Sequence, residues 1–219
     1  MQAAIMKLKD PGSAITHGIA VLLTVGAAVP LIVFAAQRAS LMGLLAMIVF
    51  AVSMLLLYSA STAYHALNIS EKMNCLLRRI DHMMIFALIA GSYTPICLVA
   101  MQNRSGYLLC LAVWAVAMLG IVVSALRKGI NRVFDAVVYI GMGWLCLTAF
   151  PQILRALTTC QFIWLLIGGI IYTIGGVIYA LKLPLFNARH RHFGSHEIFH
   201  LFVMAGSACH FVTMYMLLF

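Results

Sequence analysis

Charge is what this chain lacks. Only five of its 219 residues are acidic, and only 9% carry a charge of either sign, where a soluble domain is usually about a quarter charged. Such a supply cannot cover a surface that faces water, so a soluble fold is excluded. Paired cysteines are missing too. Cys75, Cys97, Cys110, Cys146, Cys160 and Cys209 stand singly with no C-x-x-C, so neither a disulfide framework nor a thiolate metal cluster is expected. No glycine-rich phosphate loop, nucleophile elbow or sustained heptad occurs, and no polar stretch is long enough for a separate soluble domain.

What is present is apolar: 64% of residues are hydrophobic and the mean hydropathy is +1.06. A membrane span needs about 20 mostly apolar residues. Seven runs qualify, at roughly 15–36, 42–65, 82–101, 106–126, 133–154, 161–181 and 196–218. The expected fold is all-α, a single seven-transmembrane-helix domain over residues 1–219. The first run lacks a small-residue cleavage site and is expected to stay as a span.

The net charge of +9 is explained by the positive-inside rule rather than by a nucleic-acid partner. With the N-terminus inside, eleven basic residues fall in the cytoplasm and three (Arg38, Arg104, Arg155) outside. The expected topology is therefore N-terminus cytoplasmic and C-terminus outside. All five acids then lie at the cytoplasmic side, as do His17, His65, His82, His190, His192, His196 and His200. A compact chain with short loops fits a bacterial inner (plasma) membrane. Oligomeric state is not legible.

Topology thus gathers polar groups from distant parts of the chain. His196 and His200, four apart, share one face of the seventh helix. His65 ends the second helix at similar depth, with Ser61 on its face, and Asp81 opens the third. Three neutral imidazoles make a His₃ site with an open position, the arrangement of a catalytic zinc. Asp81 is then placed to orient water, accept a proton or hold a ligand histidine. Ser61 is placed to hydrogen-bond the water or a polar group of the substrate. Any one interfacial histidine is more often simply solvated, but ionisable groups clustered in spans favour a function. His17 and His82 are assigned to a polar network. His210, about 21 Å along the axis from His196, cannot share the metal and is expected to be hydrogen-bonded within the bundle. Gly168-Gly169 and Gly175-Gly176, seven apart, are expected to let a neighbouring helix approach. Arg189-His190-Arg191-His192 reads first as a topology signal, then as an anionic-lipid contact, then as a metal site. His196-Glu197-Ile198-Phe199-His200 also fits H-E-x-x-H, the zinc metalloprotease signature with Glu197 as base, although no further acidic-ligand motif of intramembrane proteases is found.

Several pieces, in order and spacing, resemble the bacterial hemolysin III family, related to the progestin and adiponectin receptors and more distantly to alkaline ceramidases. They are Thr16-His17-Gly18, Ser61-Thr62-Ala63-Tyr64-His65, Asp81-His82, Gly91-Ser92-Tyr93-Thr94-Pro95, Gly141-Met142-Gly143-Trp144, His196-x-x-x-His200 and Ser207-Ala208-Cys209-His210-Phe211. The resemblance implies a seven-helix bundle with a cytoplasmic-side zinc on His65, His196 and His200, a water held by Asp81, and Ser61 beside it. It also implies that Glu197 is incidental, and it connects the chain with lipid amide hydrolysis, hemolysis and membrane lipid homeostasis. Three functions are carried forward. The first is zinc-dependent hydrolysis of a membrane lipid amide or ester. The second is a membrane sensor or cytolytic protein with structural zinc, and the third an intramembrane metalloprotease.

Overall fold

The computed structural model describes residues 8–127, 129, 131–181 and 194–219. Seven helices long and apolar enough to cross a membrane follow one another: α1 (Pro11–Arg38), α2 (Leu41–Ala66), α3 (Glu71–Met101), α4 (Arg104–Leu126), α5 (Arg132–Ala156), α6 (Thr159–Leu181) and α7 (Ser195–Met216). No strand occurs among the described residues. The 189–192 basic-histidine run lies outside them.

Local chemistry sets where the helices start. Pro11 opens α1, its missing N–H costing nothing in a first turn. Five helices open on a side-chain cap, α6 among them through Thr158 Oγ1, which accepts from Gln161 N at 3.3 Å. Ser40 Oγ accepts from Gly43 N at 3.2 Å, and Ser70 Oγ accepts from Met73 N at 3.2 Å. Asn103 Oδ1 accepts from Gly106 N at 3.0 Å, and Asn131 Oδ1 accepts from Phe134 N at 3.1 Å. The Ser70 cap corrects one expectation. Helix α3 begins at Glu71, not near residue 82. Hydropathy marks where a chain meets lipid, whereas a capped helix continues through Lys72, Arg78 and Arg79 into water.

Two spans depart from α geometry. Helix α3 ends, past Pro95, in a π turn over Ile96–Met101. Helix α5 tightens to a 3-10 stretch over Trp144–Ala149 and then resumes at Phe150–Ala156. Backbone groups freed inside a bilayer need internal partners. Tyr93 supplies them: its hydroxyl donates to the Gly143 carbonyl at 2.5 Å and accepts from Cys146 N at 2.9 Å. Trp144 Nε1 donates to Thr173 Oγ1 at 3.0 Å, tying the same break to α6.

Helix α1 packs on α2 and α7, α2 on α3, α3 on α5, α5 on α6, and α6 on α7, closing a ring of six; α4 lies outside it against α3. Leu31, Met47, Phe50, Leu57 and Tyr58 are fully enclosed within the ring. Outward residues such as Leu22, Leu111, Leu119 and Ile167 are exposed, giving the apolar girdle a bilayer requires. Gly168 and Gly175 both face α7. A methyl group on Gly168 would run into the His210 ring, and one on Gly175 would come within 2.7 Å of Phe202 Cβ. Gly176 turns instead to Ile140 of α5. The glycine pairs therefore serve two neighbours rather than one. Across the ring, α2 meets α7 through side chains. Tyr58 OH donates to Ser207 Oγ at 2.6 Å, and Tyr172 OH of α6 lies 2.7 Å from the same oxygen.

Candidate metal centre

His65 is the next-to-last residue of α2, while His196 and His200 lie in the first two turns of α7. Their ring nitrogens, one from each, all fall within 4.8 Å of one another. His65 and His200 are buried and His196 nearly so. The His65 and His196 Nε2 atoms are 3.1 Å apart.

Each ring is turned by a neighbour. Asp10 Oδ2 lies 3.0 Å from His65 Nδ1, so Nδ1 carries the proton and Nε2 presents a lone pair. The Asp10 backbone N–H also donates to the His65 carbonyl at 2.9 Å, which fixes the segment before α1 against the end of α2. Thr16 Oγ1 donates to the Gly12 and Ser13 carbonyls, both at 3.0 Å, and lies 3.4 Å from His200 Nδ1. With its proton spent on the helix, Thr16 acts as acceptor, and His200 also keeps Nε2 free. His17 stacks face to face on His200, centroids 3.6 Å apart and planes 8° apart. His17 thus meets the cluster through its ring face. Among the described residues neither of its nitrogens makes a hydrogen bond of good geometry.

This donor set fits a divalent ion that favours imidazole. Three uncharged rings converge, and two have their distal nitrogens tied back as metal-bound histidines usually do. The 3.1 Å pair is close to the edge of a tetrahedral zinc site, about 3.4 Å for Zn–N bonds near 2.05 Å.

Glu197 has another task. Its Oε1 accepts from Ser13 Oγ at 2.7 Å and its Oε2 from Gly194 N at 2.8 Å. Both oxygens are thus engaged in capping α7 and pinning it to α1, which argues against a general base at this position. Asp81 is buried beside Ser61. Ser61 Oγ is itself enclosed and makes no hydrogen bond of good geometry among the described residues. The carboxylate on the His65 ring is Asp10, not Asp81, so that share of the part offered to Asp81 passes to Asp10.

A family model described as haemolysin-III related matches residues 6–211. The chain belongs to the haemolysin III-related family. It is 39% identical over 203 residues to the hemolysin-3 homolog of Bacillus subtilis (strain 168), across 93% of this chain and 91% of that protein. It is 36% identical over 205 residues to hemolysin-3 of Bacillus cereus, across 93% and 89% of the two chains. A more distant similarity, 31% over 177 residues, is to the adiponectin receptor protein of Drosophila melanogaster, covering 69% of this chain and 37% of the receptor. Membership together with the seven apolar helices makes the chain an integral membrane protein.

Two cavities lie within this haemolysin III-related chain, and of the three clustered histidines His65 and His196 line one of them. One, of about 370 Å³, is polar and is lined by Asp10, His65, Arg78, Arg132, His196 and Glu197 among others. The second, of about 180 Å³, is apolar and lies between α3, α5, α6 and α7. Tyr179 lines both. Along α6 the apolar cavity runs from Tyr179 to Phe162, seventeen residues or about 25 Å. One leaflet of hydrocarbon is about 15 Å thick, so the cavity has room for an acyl chain. His210 lines it as well. Its ring stands edge-on to Tyr172 at 5.1 Å and makes no hydrogen bond of good geometry among the described residues, in place of the hydrogen bonding expected.

Asp10, Thr16 and Tyr179 were not singled out from the sequence for these places. Topology could have found Asp10, since the argument that brought Asp81 to the cytoplasmic end holds equally for an acid just before α1. Tyr179 gave no such signal, because its place depends on how α6 packs.

Proposed function

We propose that this chain hydrolyses an amide or ester bond of a membrane lipid at a zinc ion held by His65, His196 and His200. The observation that carries this reading is three imidazoles converging beside a polar cavity that shares Tyr179 with an apolar one. When bound there, zinc would supply Lewis-acid activation of the scissile carbonyl and of water at neutral pH. The protein's own groups do the rest. Asp10 and Thr16 hold the distal nitrogens of His65 and His200, so the free lone pairs stay aimed at one point. Asp81, buried at the start of the membrane-facing part of α3, takes the proton lost in attack and returns it to the leaving group. Ser61 hydrogen-bonds the polar part of the substrate. The apolar cavity takes the acyl chain and excludes bulk water from the reacting bond.

Metal analysis of purified protein, followed by lipid product analysis, tests this. His65→Ala should lose metal and product together, whereas Asp81→Asn should keep metal and lose product. Product formation by Asp81→Asn at the wild-type rate would defeat the mechanism.

A second reading rests on a specific observation. Helices α2 and α7 meet chiefly through side chains, so a metal joining them would act as a clamp in a non-enzymatic sensor or cytolytic protein. The hemolysin-3 names of the Bacillus relatives lend that reading its cytolytic form. It expects chelation to loosen the bundle with no lipid product, and purified protein to permeabilise vesicles.

A further inference from the structure

The rings of His65, His196 and His200 stand at 53°, 58° and 70° to one another, as rings that reach one ion from different sides do. A fourth ring breaks that pattern. His17 lies flat on His200, with centroids 3.6 Å and planes 8° apart. It comes from α1, a helix that supplies none of the three converging nitrogens, and it is not part of their set. It is 3% exposed, so the stack is shielded from solvent. The Tyr58 ring of α2 meets His17 edge-on at 5.1 Å. Tyr58 is itself held, its hydroxyl donating to Ser207 Oγ of α7 at 2.6 Å. His17 is thus wedged between an anchored ring and His200.

The two enclosed members of the set are oriented unequally. His65 has a carboxylate oxygen 3.0 Å from Nδ1. The corresponding contact of His200 is the Thr16 hydroxyl at 3.4 Å, beyond the usual range of such bonds. So long a contact restrains rotation about the Cβ–Cγ bond weakly, and that torsion is intrinsically broad for an imidazole. A flat ring on the face opposes the same rotation directly, because a turn of His200 drives its edge into His17. Stacked aromatic pairs are also favourable beyond the area they bury. Thr16 and His17 are consecutive, so one turn of α1 supplies both restraints, one at the ring edge and one at its face.

We infer that His17 is a positioning residue, whose ring face holds the His200 imidazole in the plane that aims it at the shared metal, and whose own nitrogens are not ligands. The inference rests on the reading that His65, His196 and His200 hold zinc, and it is independent of turnover. The role requires a flat ring rather than a polar atom. Neither His17 nitrogen makes a hydrogen bond of good geometry among the described residues, as such a role allows.

Two measurements on the purified full-length chain in detergent test this. One is zinc affinity, by competition with a fluorescent chelator. The other is the visible absorption of the cobalt(II)-loaded protein, whose intensity reports the geometry of the ligands. His17→Phe keeps a flat face and removes the nitrogens, and should match wild type in both. His17→Leu fills the space without a flat face. It should weaken zinc binding roughly three- to tenfold and change the cobalt spectrum. His17→Ala should weaken binding at least as far, and where it fails to fold the comparison of phenylalanine with leucine decides. Melting temperatures of the chelated proteins separate lost packing from lost positioning. A leucine variant that melts lower but binds zinc as wild type, with an unchanged cobalt spectrum, overturns the inference. So does a phenylalanine variant that loses zinc as far as leucine, since a ring nitrogen would then be what matters. Failure of the wild-type chain to bind either metal would end the metal reading and the inference with it, whereas normal wild-type binding with no effect of leucine ends the inference alone.

Discussion

Replacing Asp10 isolates what one neighbouring carboxylate contributes to the histidine cluster. The side chain touches His65 Nδ1 at 3.0 Å, and the helix-capping bond it could have made to α1 is not formed. Its backbone N–H donates independently to the His65 carbonyl at 2.9 Å, so Asp10→Ala leaves the segment anchored and removes only the carboxylate. Removing such a partner typically weakens metal binding about 10- to 100-fold, or roughly 1.4–2.8 kcal/mol. The Asp10 side chain is 44% exposed, so water screens its charge and the loss should lie near the tenfold end. Asp10→Asn keeps an acceptor oxygen for Nδ1 and loses the charge, and should fall between alanine and wild type. The assay is competition for zinc against a fluorescent chelator, on protein in detergent at fixed pH. Alanine and wild type binding zinc equally would refute the reasoning, since the orientation of His65 would then owe nothing to Asp10. Asparagine weaker than alanine would refute it as well.

Other substitutions probe the scaffold. Glu197→Gln should lower thermal stability in detergent by roughly 0.5–2 kcal/mol through loss of the α7 cap, with metal content unchanged; loss of metal would put Glu197 back in the site. Gly168→Ala forces a methyl group into the His210 ring and should cost about 1–3 kcal/mol of stability, read as a lower melting temperature, whereas Gly169→Ala, with open space beside it, should not. Tyr93→Phe strips the 3-10 break of α5 of its donor and acceptor and should cost about 1–3 kcal/mol; a melting temperature equal to wild type would mean that other groups satisfy Gly143 and Cys146.

The seven spans were legible because lipid imposes one demand that sequence records directly, an apolar run of sufficient length. The meeting of His65, His196 and His200 was legible for a related reason. Once orientation is fixed by basic residues, depth follows from position along each helix, and residues of equal depth have few places to go. What escaped was set by packing and by single hydrogen bonds. Asp10 sits outside any apolar run and shares no helix periodicity with His65. The extra turns of α3 depend on Ser70 catching Met73 N, not on hydropathy. The break in α5 becomes tolerable only because Tyr93, about fifty residues earlier, reaches the freed groups. The glycine pairs of α6 were read as one face, but at 100° per residue adjacent glycines diverge, and so Gly175 meets α7 while Gly176 meets α5.

The shape around the histidines weighs on the choice between a working metal and a clamp. A structural zinc site is normally closed, with four protein ligands. Here the described residues supply three, and a polar cavity of about 370 Å³ lies along His65 and His196. A clamp would gain nothing from that opening, and its ion would be easier to lose. Nor is a clamp needed where the Tyr58–Ser207 bond at 2.6 Å and the Phe50–Phe211 contact already join α2 to α7 further into the bundle. Histidines that face a polar cavity, with an apolar cavity beyond Tyr179, suit a site that admits a substrate and releases its products. On this argument chelation should abolish lipid turnover while lowering the melting temperature only slightly, because the seam between α2 and α7 persists without the ion.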